Sequence, residues 1–284
     1  MISGKTKVIA IFGDPIEHTL SPAMHNAAFA ELGLDCVYVP FHVTPAGLGS
    51  AVAGMRAMGI AGANITVPHK ERVLEFLDEV DDEARRLGAV NTIVNTDGVL
   101  KGYNTDGRGF VMSLKEDANF NPEKKRVFIC GSGGAARGIG FALAAAGTHR
   151  INFYDVDGPK MDKLVLDING AFGGTFARPA LLDPDFIRSC DLVVNATPLG
   201  MHKDDPLPIP ENSYRFGQVV YDIVYNPAKT KTLAAAQYGG AKPVNGLGML
   251  LYQGVLAFEH WLGVRPPAAT MRAVLNERLG LTVK

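Results

Sequence analysis

Cysteine and tryptophan are scarce in this chain, with three of the first and one of the second in 284 residues. Cys36, Cys130 and Cys190 lie far apart, in or beside apolar runs. That spacing excludes a cysteine metal site and a disulfide framework, and fits small core side chains of a reduced, cytoplasmic protein. None of the seven histidines forms an H-x-x-x-H pair, so no metal is expected. Excess charge is missing too. The net charge is −1, with no long run of lysine or arginine, which argues against nucleic acid or a membrane surface as a partner. No apolar run reaches transmembrane length, and no N-terminal signal pattern is evident. The charged fraction of 20% and apolar fraction of 47% are those of an ordinary globular protein, and the length predicts about two domains.

The stretch from Lys125 to Asp155 carries the most information. An apolar run, Val127 to Cys130, ends in the turn Gly131-Ser132-Gly133-Gly134. An alanine-rich helical stretch follows from Ala135 to Ala146, and a second apolar run, Ile151 to Tyr154, ends in Asp155. Strand, tight turn, helix and strand within about thirty residues make a mononucleotide-binding βαβ unit. A pyrophosphate must approach backbone N–H groups at a helix N-terminus, so side chains are kept away there. Ala136 stands where the fingerprint has its third glycine, a tolerated change. Asp155 falls where a carboxylate accepts hydrogen bonds from both ribose hydroxyls and repels a 2′-phosphate. On that argument the cofactor is NAD, preferred over NADP.

Strand and helix alternate on both sides of this unit, an α/β pattern. Strands are predicted at Val8 to Phe12, Val37 to Val43 and Asn64 to Val67. Helices are predicted from Ser21-Pro22 to Leu32, from Leu48 to Met58 and from about His69 to Leu77. Asn95-Thr96-Asp97-Gly98 between two apolar runs predicts a hairpin. Later strands are expected at Leu192 to Asn195 and Val219 to Val224, with closing helices at Met249 to Trp261 and Pro267 to Leu279. These helices are expected to pack back against the first domain, with ligands in the cleft between domains.

Polar clusters fall at strand ends: Thr19-Leu20-Ser21, Asn64 to Lys70, Asn91-Thr92 and Asn104-Thr105-Asp106. Lys70 is the acid/base candidate, because a first helical turn would disfavour its charge. From spacing alone, a solvated surface lysine beside Glu71 is the plainer reading. Asp106 reads equally well as an N-cap or an active-site carboxylate. Ser21 is a good N-cap before Pro22, or a hydroxyl for a ligand carboxylate.

The strings GDPIEHTLSPAMHNAAF, GANITVPHK, GAVNTIV, GYNTDG, GSGGAAR, NATPLGM and NGLGMLLYQG, in this order and spacing, resemble the shikimate/quinate dehydrogenase family over nearly the whole chain. The resemblance implies an α/β fold of two domains. Residues 1–106 with 247–284 would form the substrate domain, and 107–246 a Rossmann-like NAD-binding domain. It implies reversible oxidation of the C3 hydroxyl of shikimate, or the matching hydroxyl of quinate, with hydride passed to a nicotinamide. Lys70 and Asp106 match the catalytic pair; Thr19, Ser21, Thr66, Asn91, Tyr225 and Gln253 match substrate-binding positions. Gly131, Ser132, Gly133, Gly134, Ala135, Asp155, Thr197, Ile223 and Gly246 match the cofactor side. The implied partner is a small molecule, in a monomer or homodimer.

Two departures stand out. Thr19 replaces the first serine of the family's S-x-S motif. Asp155-Val156-Asp157-Gly158 replaces the Asn-Arg-Thr-like stretch of NADP-using members and supplies no arginine for a 2′-phosphate. The leading expectation is an NAD-dependent shikimate dehydrogenase. An aminoshikimate or quinate dehydrogenase of a specialised pathway is the second. A non-catalytic metabolite sensor is the third, disfavoured because Lys70 and Asp106 are both kept.

Overall fold

A computed structural model describes residues 2–281. The chain divides into two compact units. One ends its first leg at Thr105 and resumes at Gln253; the other spans Asp106–Tyr252.

The first unit begins with β1 (Lys7–Gly13), α1 (Ser21–Glu31), β2 (Cys36–His42), α2 (Leu48–Ala57) and β3 (Gly62–Ile65). It continues with β4 (Glu79–Val80), α3 (Asp82–Leu87), β5 (Thr92–Thr96) and β6 (Val99–Tyr103). The strands form one sheet in the order β2-β1-β3-β5-β6-β4. The first three are parallel, and β5 and β6 form an antiparallel hairpin. Its turn residues, Asp97 and Gly98, both have positive φ, at 52° and 90°, the conformation that the Asp-Gly pair favours. One departure from expectation matters. No α-helix runs from His69 to Leu77. The chain makes a turn through Lys70 and then a 3-10 helix at Arg72–Phe76. The N–H of Asp78 then bonds to the Leu100 carbonyl, which draws the segment into the sheet edge after a single short helix. The macrodipole argument for Lys70 loses its helix.

The second unit contains α4 (Asp106–Ala118), β7 (Arg126–Cys130), α5 (Gly134–Ala145), β8 (Arg150–Tyr154) and α6 (Gly158–Phe172). After these come β9 (Ala177–Pro179), α7 (Pro184–Arg188), β10 (Leu192–Asn195), β11 (Val219–Asp222), α8 (Lys231–Tyr238) and β12 (Lys242–Asn245). Its sheet is parallel throughout, in the order β12-β11-β10-β7-β8-β9. The strands are almost continuously apolar, as burial on both faces requires. Phe128, Val193 and Val220 pack with Ile187 of α7 and Ala236 of α8 on one face. Val127, Ile129, Ile151 and Phe153 are fully buried on the other.

α9 (Leu247–Leu262) and α10 (Ala268–Arg278) close the chain. Within the first unit they pack on α1, as expected: His25 stacks on Phe258 and meets Trp261 edge-on. The Trp261 indole N–H donates to the Ile93 carbonyl at 2.9 Å. The other face of that sheet carries Ala10, Phe12, Leu48, Val52, Met55 and Ile65. No helix among the described residues is long and apolar enough to cross a membrane.

Candidate active site

In the first unit the polar residues gather at the carboxyl ends of β1 and β3. The N–H of Thr66 bonds to the Phe12 carbonyl, which fixes Thr66 just beyond β3. Asn64 is buried on β3. It accepts the Tyr38 hydroxyl at 2.6 Å and donates to the Asn91 carbonyl at 3.0 Å. Asn91, only 1% exposed, accepts the Thr105 N–H at 2.9 Å and donates to the Thr105 hydroxyl at 3.0 Å. The Lys70 carbonyl accepts from the N–H of Val90, next to Asn91. One network thus holds Thr66, Lys70, Asn91 and the peptide that leads into Asp106.

Ser21 is not the helix cap. It is the first residue of α1, with no side-chain cap at that end, and its N–H donates to the Thr19 hydroxyl at 3.3 Å. The Ser21 side chain lies beside the phenol of Tyr38. Burial drives that phenol's pKa well above its ordinary value, so Tyr38 is a neutral partner. Asn26 brackets Tyr38 through both backbone groups. Tyr38 and Asn26 were not picked out from the sequence. The signal was Tyr38's polar hydroxyl inside an otherwise apolar strand. Gln253 lies on α9, beside Gly254, which contacts Met24 of α1. His69 is buried, and its Nε2 lies 2.6 Å from the Val43 carbonyl oxygen.

In the second unit Asp106 is the first residue of α4, where its charge complements the helix dipole. The turn after β7 has the properties that a pyrophosphate requires. Gly131 has φ of 109°, and a Cβ there would lie 2.8 Å from the Ala196 carbonyl oxygen, so no other residue fits. Beside Gly133 and Gly134 lies open space. Gly133 caps α5 without a side chain, which leaves the first N–H groups, including that of Ala135, facing outward. Ser132 donates from both its N–H and its hydroxyl to Asp155 Oδ2, each at 2.6 Å. The other Asp155 oxygen accepts from the N–H of Asp157 at 2.9 Å. Burial pushes the Asp155 carboxyl up, but the bonds from Asp157 and Ser132 and the charge of Lys160 bring it below its ordinary value.

Beyond β10, the Thr197 hydroxyl donates to Asn195 Oδ1 at 2.7 Å. Asn195 Nδ2 in turn donates to Asp222 at 2.9 Å. Gly246 sits against the Ile223 carbonyl so closely that a Cβ would overlap it. Burial pushes the Tyr225 phenol up. Asp222 was missed as a candidate. It is fully buried at the end of β11, and burial raises it to about 6 despite bonds from Thr230, Val224 and Asn195. Its place in the DIVYNP string was the available signal.

Comparison with known proteins bears on these two clusters. The model of the shikimate dehydrogenase substrate binding domain matches residues 11–93, and that of the shikimate 5′-dehydrogenase C-terminal domain matches residues 246–275. A protein of Moorella thermoacetica named shikimate dehydrogenase (NADP(+)) is 47% identical over 98% of this chain and 96% of its own. The chain belongs to the shikimate dehydrogenase family. A solved shikimate dehydrogenase in complex with NADP+ is 41% identical, covers 98% of both chains and gives a TM-score of 0.93. Shikimate 5-dehydrogenase of Listeria monocytogenes, solved with shikimate and NAD, is 37% identical over 96% of this chain and 98% of its own, with a TM-score of 0.91.

Within the shikimate dehydrogenase family, the expected preference for NAD over NADP is overturned. Further relatives at 43–47% identity carry the same NADP(+) name as the Moorella protein. The structure gives Asp155 a different task from the one read in the sequence: three donors from Ser132 and Asp157 bond its oxygens, so it braces the glycine turn.

Proposed function

We propose that this chain catalyses the reversible, NADP-linked oxidation of the C3 hydroxyl of shikimate to the 3-dehydro product. The observation that carries the reading is its 47% identity, over 98% of the chain, to a shikimate dehydrogenase (NADP(+)). Ser21, Thr66, Asn91 and Gln253 would hold the substrate's carboxylate and hydroxyls, with Thr19 beside Ser21 shaping the pocket. Their hydrogen-bonding side chains suit a small polyhydroxy acid.

The open, glycine-lined turn fits a dinucleotide. Gly131 to Ala135 would receive the pyrophosphate on backbone N–H groups, with Ser132 held in place by Asp155. Thr197, Ile223 and Gly246 would line the nicotinamide half. When bound, the nicotinamide accepts or returns the hydride. The chain's part is proton handling. In the direction of ketone reduction, the Lys70 ammonium gives a proton to the carbonyl oxygen as it gains negative charge. The Asp106 carboxylate would accept a hydrogen bond from the new hydroxyl. In oxidation each step reverses.

The test is a rate assay of NADP reduction, with shikimate and then quinate at saturation. Turnover with shikimate and NADP is the expected result. Absence of NADP reduction with shikimate at any concentration would sink the reading.

A further inference from the structure

The parallel sheet of the second unit is covered unevenly. α7 and α8 cover the face that carries Phe128, Cys130 and Val193. Toward β8 and β9 the cover gives out, because α7 is only five residues long. A cavity of about 510 Å³ opens there, within the usual range for small-molecule pockets. Arg126, Arg150 and Arg178 line it with His149, Asn152 and Phe186.

The register explains why these side chains converge. Arg126 opens β7 opposite Arg150, which opens β8, and Asn152 pairs with Arg178 on β9. Residues two apart on a strand, and register partners across strands, share a face. All four therefore stand on the uncovered face, at the amino ends of the strands. The glycine turn follows Cys130, at the far end of β7, roughly 13 Å away by strand rise. The cavity is thus separate from the proposed cofactor site.

Its charge is mainly positive, with three guanidinium groups against the one lining carboxylate, Asp183. Among the described residues, none of the three guanidinium groups forms an ion pair or hydrogen bond, whereas Arg137 and Arg56 pair with Asp167 and Asp78. The lining carboxylate, Asp183, already accepts the N–H of Asp185 at the start of α7. Three unpaired guanidinium groups in one concavity repel one another, and an anion relieves this. Their planar forks match phosphate oxygens. Phe186 and Leu181 add an apolar wall, which free phosphate would leave unused. The concavity suits a small molecule, since a nucleic-acid backbone needs a basic stripe.

We propose that this cavity binds a phosphorylated small molecule, with its phosphate on Arg126, Arg150 and Arg178 and a flat apolar group against Phe186.

Isothermal titration of the full chain tests this, in one arm with NADP saturating so that the cofactor turn is filled and in one without it, since NADP carries a phosphate and a flat ring of its own. The probes are phenyl phosphate and inorganic pyrophosphate. Phenyl phosphate should bind at one site and weaken with added salt. The double variant Arg150→Gln/Arg178→Gln should weaken it at least about tenfold, with the thermal melt unchanged because neither side chain has a partner to lose. Phe186→Ala should weaken phenyl phosphate and spare pyrophosphate. No saturable heat with phenyl phosphate, or equal affinity in the double arginine variant, overturns the proposal. Unchanged phenyl phosphate affinity in Phe186→Ala overturns the place given to the ring.

Discussion

Asp222 has its carboxylate oxygens bonded by Asn195, Val224 and Thr230, yet burial lifts its pKa from 3.8 to about 6. The folded state therefore holds this proton more tightly than the unfolded chain. Its stabilising contribution is complete below about pH 4 and is lost as pH rises through 6, by roughly 3 kcal/mol at most. Asp222→Asn keeps an acceptor for Asn195 and Val224 and removes the titration. In paired thermal melts, the variant should gain on the wild type between pH 4 and 7; parallel curves would refute the assignment. Lys70→Ala should lower kcat at least about a hundredfold with a smaller change in KM, and near-normal turnover would remove Lys70 from the chemistry. Asp106→Asn should slow turnover while largely sparing the KM for shikimate. Thr19→Ser deletes one methyl near the start of α1. If that methyl shapes the pocket, the shikimate-to-quinate ratio of kcat/KM should move by up to roughly a hundredfold. Asp155 marks the limit of legibility at this scale. Its position at the strand end was readable from the sequence. That Ser132, two residues into the turn, would consume one of its oxygens was a matter of geometry.

Among elements, β7, α5 and β8 were legible because a glycine turn punctuates two apolar runs. The β5–β6 hairpin was legible because its Asp-Gly pair permits one tight turn. The segment from His69 to Leu77 was misread because Val73, Leu74 and Leu77 mimic helical spacing. The pairing of β4 with β6 decides the matter, and β4 has only two residues, too few to show a period. The three-residue β9 was hidden for the same reason. The loop that joins β12 to α9 carries a sharp prediction. Gly246 faces the Ile223 carbonyl with no room for a methyl. Gly246→Ala should destabilise the fold by on the order of 3 kcal/mol, lowering Tm by roughly 10 °C. A melt within one or two degrees of wild type would mean that the loop yields freely.

For the whole molecule, α/β alternation was readable from periodicity and the return of the closing helices to the first domain was expected, whereas the boundaries of that divided unit came only through family resemblance. Periodicity reports which face an element buries, not which distant element covers it. The division predicts a local response to ligand. Adding NADP alone should slow backbone hydrogen exchange around residues 131–137 and 195–200, and no slowing at the glycine turn would contradict its proposed role. The same division shapes the birth of the protein on the ribosome. Trp261 closes over Ile93 across 168 positions of sequence, and Phe258 completes the ring cluster around His25 and Phe29. Neither arrives until the inserted unit has been translated. The inserted unit can fold first, while the nascent leader holds Met24, Phe29 and Tyr38 without their lid. Premature termination anywhere before α9 therefore leaves a sticky, unfinished surface, and chaperones that capture nascent chains have their longest window there.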